Sequence, residues 1–257
     1  MAWDPVGIQL SAWFRTPLGR LLAEAERDAV SQLIGDEAGG HVLQFAGHGE
    51  APPLEVPSAW HVAAVPGPAV EVVAHPDALP LRARSVDVLV LLHALEWSAE
   101  PCAVLRQAAQ ILAPEGRLVV VGFNPASLWG LERAMPRQRH SGPPGGRYFP
   151  ARRVRDWCTL LGLEPLPGRT VFFRPPFSRQ DVQRRLLPLE RLGGRLLPWS
   201  GGVHVLVSRK RVAGLRPPGV ALDSRLPAFP RPIPGACHTR WSRLAAARDA
   251  GDPSHTL

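Results

Sequence analysis

Apolar positions along this chain recur with a helical period in some stretches and run unbroken in others. Leu18, Leu21, Leu22, Ala25, Ala29, Leu33 and Ile34 fall three to four residues apart, the spacing of one helix face. Thr16-Pro17 supplies an N-cap and a proline at the first helical position, and Gly35 closes the helix. Residues 41–46 read as a short apolar strand entering the turn Gly47-His48-Gly49. Two further β-rich stretches, 60–65 and 69–74, lie on either side of Pro66-Gly67-Pro68.

The clearest block is 85–125. Val86-Asp87-Val88-Leu89-Val90-Leu91-Leu92 is a near-continuous apolar run, the pattern of a strand buried on both faces. Pro101 opens a helix with apolar positions Val104, Leu105, Ala108, Ala109, Ile111 and Leu112. Pro114-Glu115-Gly116 reads as a turn, and 118–121 as the next strand. Strand, helix and strand in this span make a βαβ unit, which predicts a parallel sheet with a right-handed crossover.

Further on, 137–147 is a Pro/Gly/Arg loop. An amphipathic helix over 150–161 ends at Gly162, with Val154, Trp157, Cys158 and Leu161 on one face. The last strands are expected at 170–173 and 203–207, with an Arg/Leu-rich helix between them. From 209 onward there are seven prolines in 49 residues and little apolar periodicity. That predicts a domain over 1–208 and a disordered basic tail over 209–257, with a short helix near 241–248.

Composition narrows the classes. At 257 residues and 45% hydrophobic the chain can bury a sizeable core. No apolar run reaches the length of a membrane span, and Met1-Ala-Trp-Asp4-Pro5 does not read as a secretory signal. Cys102, Cys158 and Cys237 are far apart, which predicts neither a disulfide framework nor a zinc cluster, and points to a reducing cytoplasm. The nine histidines show no ligand spacing, so no metal is expected. The net charge of +8 is uneven: residues 1–132 carry seven arginines against 15 acids, and 133–208 carry 14 against four. Only Lys210 among the basic residues is a lysine, so arginine content by itself is weak support for a nucleic-acid partner.

Several motifs together resemble a known family. They are Asp77-Ala78-Leu79-Pro80-Leu81, Ser85-Val86-Asp87-Val88, His93-Ala94-Leu95-Glu96-Trp97 and Ile111-Leu112-Ala113-Pro114-Glu115-Gly116-Arg117-Leu118. This block is similar to the centre of class I SAM-dependent methyltransferases of the type-11 group. Gly122-Phe123-Asn124-Pro125, Leu128-Trp129-Gly130-Leu131, Arg155-Asp156-Trp157 and Phe173-Arg174-Pro175-Pro176 resemble a narrower bacterial subgroup. The resemblance covers roughly 12–211. It implies a Rossmann-like α/β fold with a mostly parallel, doubly wound sheet, and methyl transfer from S-adenosyl-L-methionine.

The family's first motif has the form acid-h-G-x-G-x-G, whereas here Gln44, Ala46 and His48 stand at the acidic and first two glycine positions. Gly47 and Gly49 are displaced by one. The short span from Gly49 to Ala69 predicts a first half shortened by loss of the helix after the first strand. The second strand ends in Pro66-Gly67, without the carboxylate that holds ribose. The resemblance places cofactor contacts at Ala46, Gly47, Gly49, Asp77, Ala78 and His93, and acceptor-lining residues at Asn124 and Tyr148. Asp87 is read as structural; Glu96 is read as a base or as a cap for the helix near Pro101. The leading function is methyl transfer to an unidentified acceptor, a small molecule rather than nucleic acid. The alternative is a methyltransferase-like domain without catalysis that binds an anionic partner through its Arg-rich half. No G-x-G-x-x-G opens a helix, which argues against a dinucleotide enzyme.

Overall fold

The computed structural model describes residues 5–35, 40–56, 59–134, 142–176 and 186–211. From 212 onward the expected basic tail lies outside the described residues, as do residues 137–141 of the expected 137–147 loop.

Two helices come first, α1 over Pro5–Phe14 and α2 over Pro17–Ile34. In α2 the expected caps are present: Thr16 Oγ1 accepts the Gly19 N–H at 3.2 Å, and Gly35 follows the last turn at φ +56°. Such a cap contributes about 1 kcal/mol. The sequence of α1, PVGIQLSAWF, is apolar nearly all round, so periodicity gives no signal for it.

Seven strands follow: β1 (Val42–Ala46), β2 (Ala59–Ala63), β3 (Val72–Val73), β4 (Val86–Leu92), β5 (Leu112–Phe123), β6 (Leu163–Val171) and β7 (Val203–Lys210). They form one sheet in the order β3-β2-β1-β4-β5-β7-β6. The first five strands in this order are parallel, and β7 runs antiparallel to both β5 and β6. Between β1 and β2, residues 47–56 form turn and coil without a helix.

The strands bury both faces. On one face, Leu10 and Phe14 of α1 and Leu22 and Val30 of α2 pack on Val42, Val90, Val121 and Val205. On the other, helix α3 (Pro101–Ile111) and helix α5 (Ala151–Leu160) place Leu105, Ile111, Val154 and Cys158 against Phe45, Leu89, Val120 and Leu206. Among the described residues the other two helices are α4 (Leu128–Ala134) and α6 (Leu187–Leu196). Among the described residues no helix is long and apolar enough to cross a membrane.

Two elements differ from the sequence pattern. Pro114-Glu115-Gly116 is not a turn between elements but a bulge inside β5, whose register jumps from Val86↔Leu112 to Val88↔Arg117. Glu115 absorbs it at φ +61°. β6 begins at Leu163, well before the expected 170, and runs through Pro165 and Pro167. It is an edge strand, where a missing N–H breaks no ladder, and a shift between Leu166 and Arg169 accommodates the rest.

Candidate active site

β1 and β4 are the central neighbours from which the chain winds outward in both directions, so a crevice opens at their carboxyl ends. The Gly47 N–H donates to the Leu92 carbonyl at 2.8 Å, pinning the turn after β1 onto β4. A Cβ at Gly47 would stand 2.4 Å from the His93 carbonyl oxygen. A second close approach joins the turns after β1 and β2: a Cβ at Gly49 would stand 2.1 Å from the Pro66 oxygen, and one at Gly67 would stand 1.7 Å from the Gly49 oxygen. His48, in the turn after β1, is buried, stacked on Phe14 of α1 at 3.7 Å, and its Nδ1 accepts the Glu50 N–H. Burial, then the charge on His93, lowers its pKa well below the usual value, so it stays neutral.

A cavity of about 500 Å³ lies at these strand ends, walled by Phe45, Gly47, Ala64, Asp77, His93 and Trp97. Behind it sits a buried ion cluster. His93 Nε2 is 2.8 Å from Glu26 Oε1, and His93 Nδ1 is 3.2 Å from Glu96 Oε1. Glu96 Oε1 also accepts the Phe123 N–H at 2.8 Å. Burial by itself pushes the imidazole down, but the charges and hydrogen bonds of Glu26 and Glu96 overcome it and carry His93 up to about 10. His93 is therefore an imidazolium at neutral pH. Its backbone is left-handed at φ +49°, a strained position that this cluster and the stacked Phe123 ring, 4.2 Å away, hold in place.

Of the residues expected at the cofactor, Gly47, Asp77 and His93 meet in the cavity wall. Ala46 faces the α1–α2 core, Gly49 is pressed on the Pro66 turn, and Ala78 closes a turn with its N–H on the His75 carbonyl; none of the three is in the wall. Asp77 pairs with His75. Asp87 is structural, accepting the His41 N–H at 2.8 Å. Glu96 does not cap α3, whose N-cap is Glu100. Of the two acceptor-side residues, Tyr148 stacks on Phe123 at 5.1 Å under the Arg133 guanidinium, and burial raises its hydroxyl pKa above the usual value. Asn124 Nδ2 donates to the Trp199 and Gly201 carbonyls, and its side chain lines a second cavity. Sequence reasoning missed Glu26. Its signal was a carboxylate within the buried stripe Leu22, Ala23, Ala29 and Val30.

The cofactor implied by the resemblance can be tested against these residues. Two carboxylates face one imidazolium, a formal excess of one negative charge, and Glu96 Oε2 is buried without a hydrogen-bond partner among the described residues. With the Trp97 ring in the wall, this suits a sulfonium cation. Phe45, Ala64 and Ala94 offer an apolar slot for a base, with Asp77 as a polar contact at its edge. The two glycine donors of the turn are committed, Gly47 N–H to Leu92 and Gly49 N–H to Ser11 Oγ, so neither cradles the methionine carboxylate. The thionucleoside and sulfonium fit; the amino-acid end would be held otherwise than by the two glycine N–H groups.

Comparison with known proteins agrees. A methyltransferase-domain family profile matches residues 24–167. An uncharacterised Escherichia coli protein, YafS, is 33% identical over 79% of this chain and 82% of its own length. The malonyl-[acyl-carrier protein] O-methyltransferase of Hahella chejuensis is 28% identical over 44% of this chain and 40% of its own. Among solved structures, a Thermotoga maritima SAM-dependent methyltransferase, a possible histamine N-methyltransferase, superposes with a TM-score of 0.56 at 20% identity, covering 78% of this chain and 94% of that one. The [4+2]-cyclase SpnF gives a TM-score of 0.51 at 18% identity over 77% and 85% of the two chains. At these identities the structural matches speak for the fold, while the profile and YafS speak for the family. The chain belongs to the methyltransferase-domain family and has the fold of the class I methyltransferases.

Proposed function

We propose that the chain methylates a small-molecule acceptor, which enters from the Asn124 and Tyr148 side of the crevice. When bound, the cofactor supplies a methyl group on sulfur that leaves by in-line displacement. The chain's own part is to position, to place negative charge beside a cation and to exclude water. His93, held as an imidazolium, fixes Glu26 and Glu96 behind the cavity and does not serve as a proton acceptor at neutral pH.

The observation that carries the small-molecule reading is the disposition of the arginines. Arg133 donates to the Gly146 carbonyl, Arg147 to those of Ser98 and Ala99, Arg169 to Gln32, and Arg174 pairs with Glu190. These four guanidiniums brace the fold and, so held, are not free to follow a phosphate backbone. The relative that acts on malonyl-[acyl-carrier protein] is matched over too little of its length for its acceptor to carry over.

The test uses S-adenosyl-L-methionine labelled in the methyl group, incubated with the protein and separated fractions of a bacterial extract. Label is expected in the low-molecular-weight fraction, and less of it with the Asp77→Asn variant. Label confined to nucleic acid or protein fractions would contradict the proposal.

A further inference from the structure

We infer that the cavity between α5, β6 and β7 is the acceptor pocket and takes an oxyanion, a carboxylate or phosphate, carried on an apolar body. The inference rests on the small-molecule reading above and adds the acceptor's chemical class. The cavity is about 520 Å³, and Asn124 lies in its wall. Four features converge there.

The wall includes His204 of β7, only 2% exposed, whose Nδ1 has no hydrogen-bond partner among the described residues. A buried polar atom left unbonded is unfavourable, and bonding to a ligand relieves it. Burial is the main cause that lowers His204 to about 4; Glu96 opposes it, and the charges of His93 and Arg155 reinforce it. The ring is neutral at pH 7, and Nδ1 can donate or accept. Arg155 of α5 and Arg169 of β6 line the same cavity, and Arg169 Nε is buried without a partner although its Nη1 reaches Gln32 at 2.8 Å. The third feature is the N-terminus of α5. Pro150 and Ala151 are in the wall, and Pro150 makes no side-chain cap bond, so the first-turn N–H groups favour an anion there. Phe173 and Trp199 supply the apolar wall for the rest of the ligand.

Two arginines, a helix N-terminus and an unpartnered buried imidazole around one cavity form a site for a negative group. No carboxylate lines it. Glu96, the acid that acts on His204, is not in the wall and engages His93 and the Phe123 N–H through Oε1.

The test titrates the full chain, with ¹⁵N-labelled histidine, against benzoate, phenyl phosphate and the uncharged isostere benzamide. The His204→Gln variant identifies the resonances. Benzoate or phenyl phosphate is expected to shift the His204 signals saturably, and the tighter of the two names the oxyanion. Benzamide should bind at least about tenfold more weakly, a difference of about 1.4 kcal/mol. The folded double variant Arg155→Gln/Arg169→Gln should lose at least about tenfold in affinity for the anion while binding S-adenosylhomocysteine within about twofold of the parent. The inference is overturned if neither anion moves His204, if benzamide binds as well, or if the double variant binds the anion unchanged. Failure of the parent chain to bind S-adenosylhomocysteine would instead contradict the methyl-transfer reading.

Discussion

Replacing His93 with glutamine is expected to destabilise the fold by about 3–5 kcal/mol, because it leaves the carboxylates of Glu26 and Glu96 buried without their cation. For a chain of this size the melting temperature should fall by roughly 10 °C. The same residue shapes the pH dependence. In the unfolded chain His93 titrates near 6.5, and in the fold at about 10. Its stabilisation is therefore fully present below pH 6.5 and lost as pH rises through 10. His48 and His204 act in the opposite direction: both are held below 6.5 in the fold, His204 at about 4, so stability falls as pH drops from 6.5 toward 4. Thermal melts across pH should show a maximum near 6.5. His93→Gln should flatten the alkaline limb, while the acid limb, set mainly by burial of His48 and His204, persists in reduced form. An alkaline limb as steep as the parent's in the variant would show that the cluster is not its source.

Gly47→Ala should act mainly on the cofactor. The added Cβ meets the His93 carbonyl at 2.4 Å, and backbone cannot yield as a flexible side chain can. Either the β1 turn or the end of β4 must move, and both line the cavity. Overpacking of this kind costs about 1–3 kcal/mol, and S-adenosylhomocysteine affinity should fall at least tenfold, equivalent to about 1.4 kcal/mol. Gly162→Ala is the control. Gly162 has φ +76° with open space around it, so it loses about 1 kcal/mol of stability and leaves binding unchanged. Equal losses of binding in the two variants would show that Gly47 acts through global stability and not through the cavity.

The parallel half of the sheet is legible because its signals are local. The run Val86–Leu92 and the helix from Pro101 have an apolar period that no tertiary contact needs to explain. The edge strand β6 is hidden by Pro165 and Pro167, since their cost depends on having a neighbour on only one side. In the site, Gly47, Asp77 and His93 can be placed from motif resemblance, and they meet in one wall. What holds His93 cannot be placed that way: Glu26 lies 67 residues away in sequence and reaches it only when α2 docks on the sheet. His48 follows the same logic. At a glycine position it looks like a defect, yet it packs on Phe14 of α1, a helix without a sequence period. The wall around His204 joins β7 to α5 and β6, which lie earlier in the chain, so no local pattern announces it.

The central claim is that this chain binds S-adenosyl-L-methionine in the crevice beside Gly47, Asp77 and His93 although the N–H groups of Gly47 and Gly49 are already committed. Calorimetric titration of the full chain with S-adenosylhomocysteine tests it most directly. A single site with a dissociation constant of about 1 μM or tighter, roughly −8 kcal/mol, is expected. No heat of binding at millimolar ligand would contradict it and would leave the chain a methyltransferase fold without the cofactor.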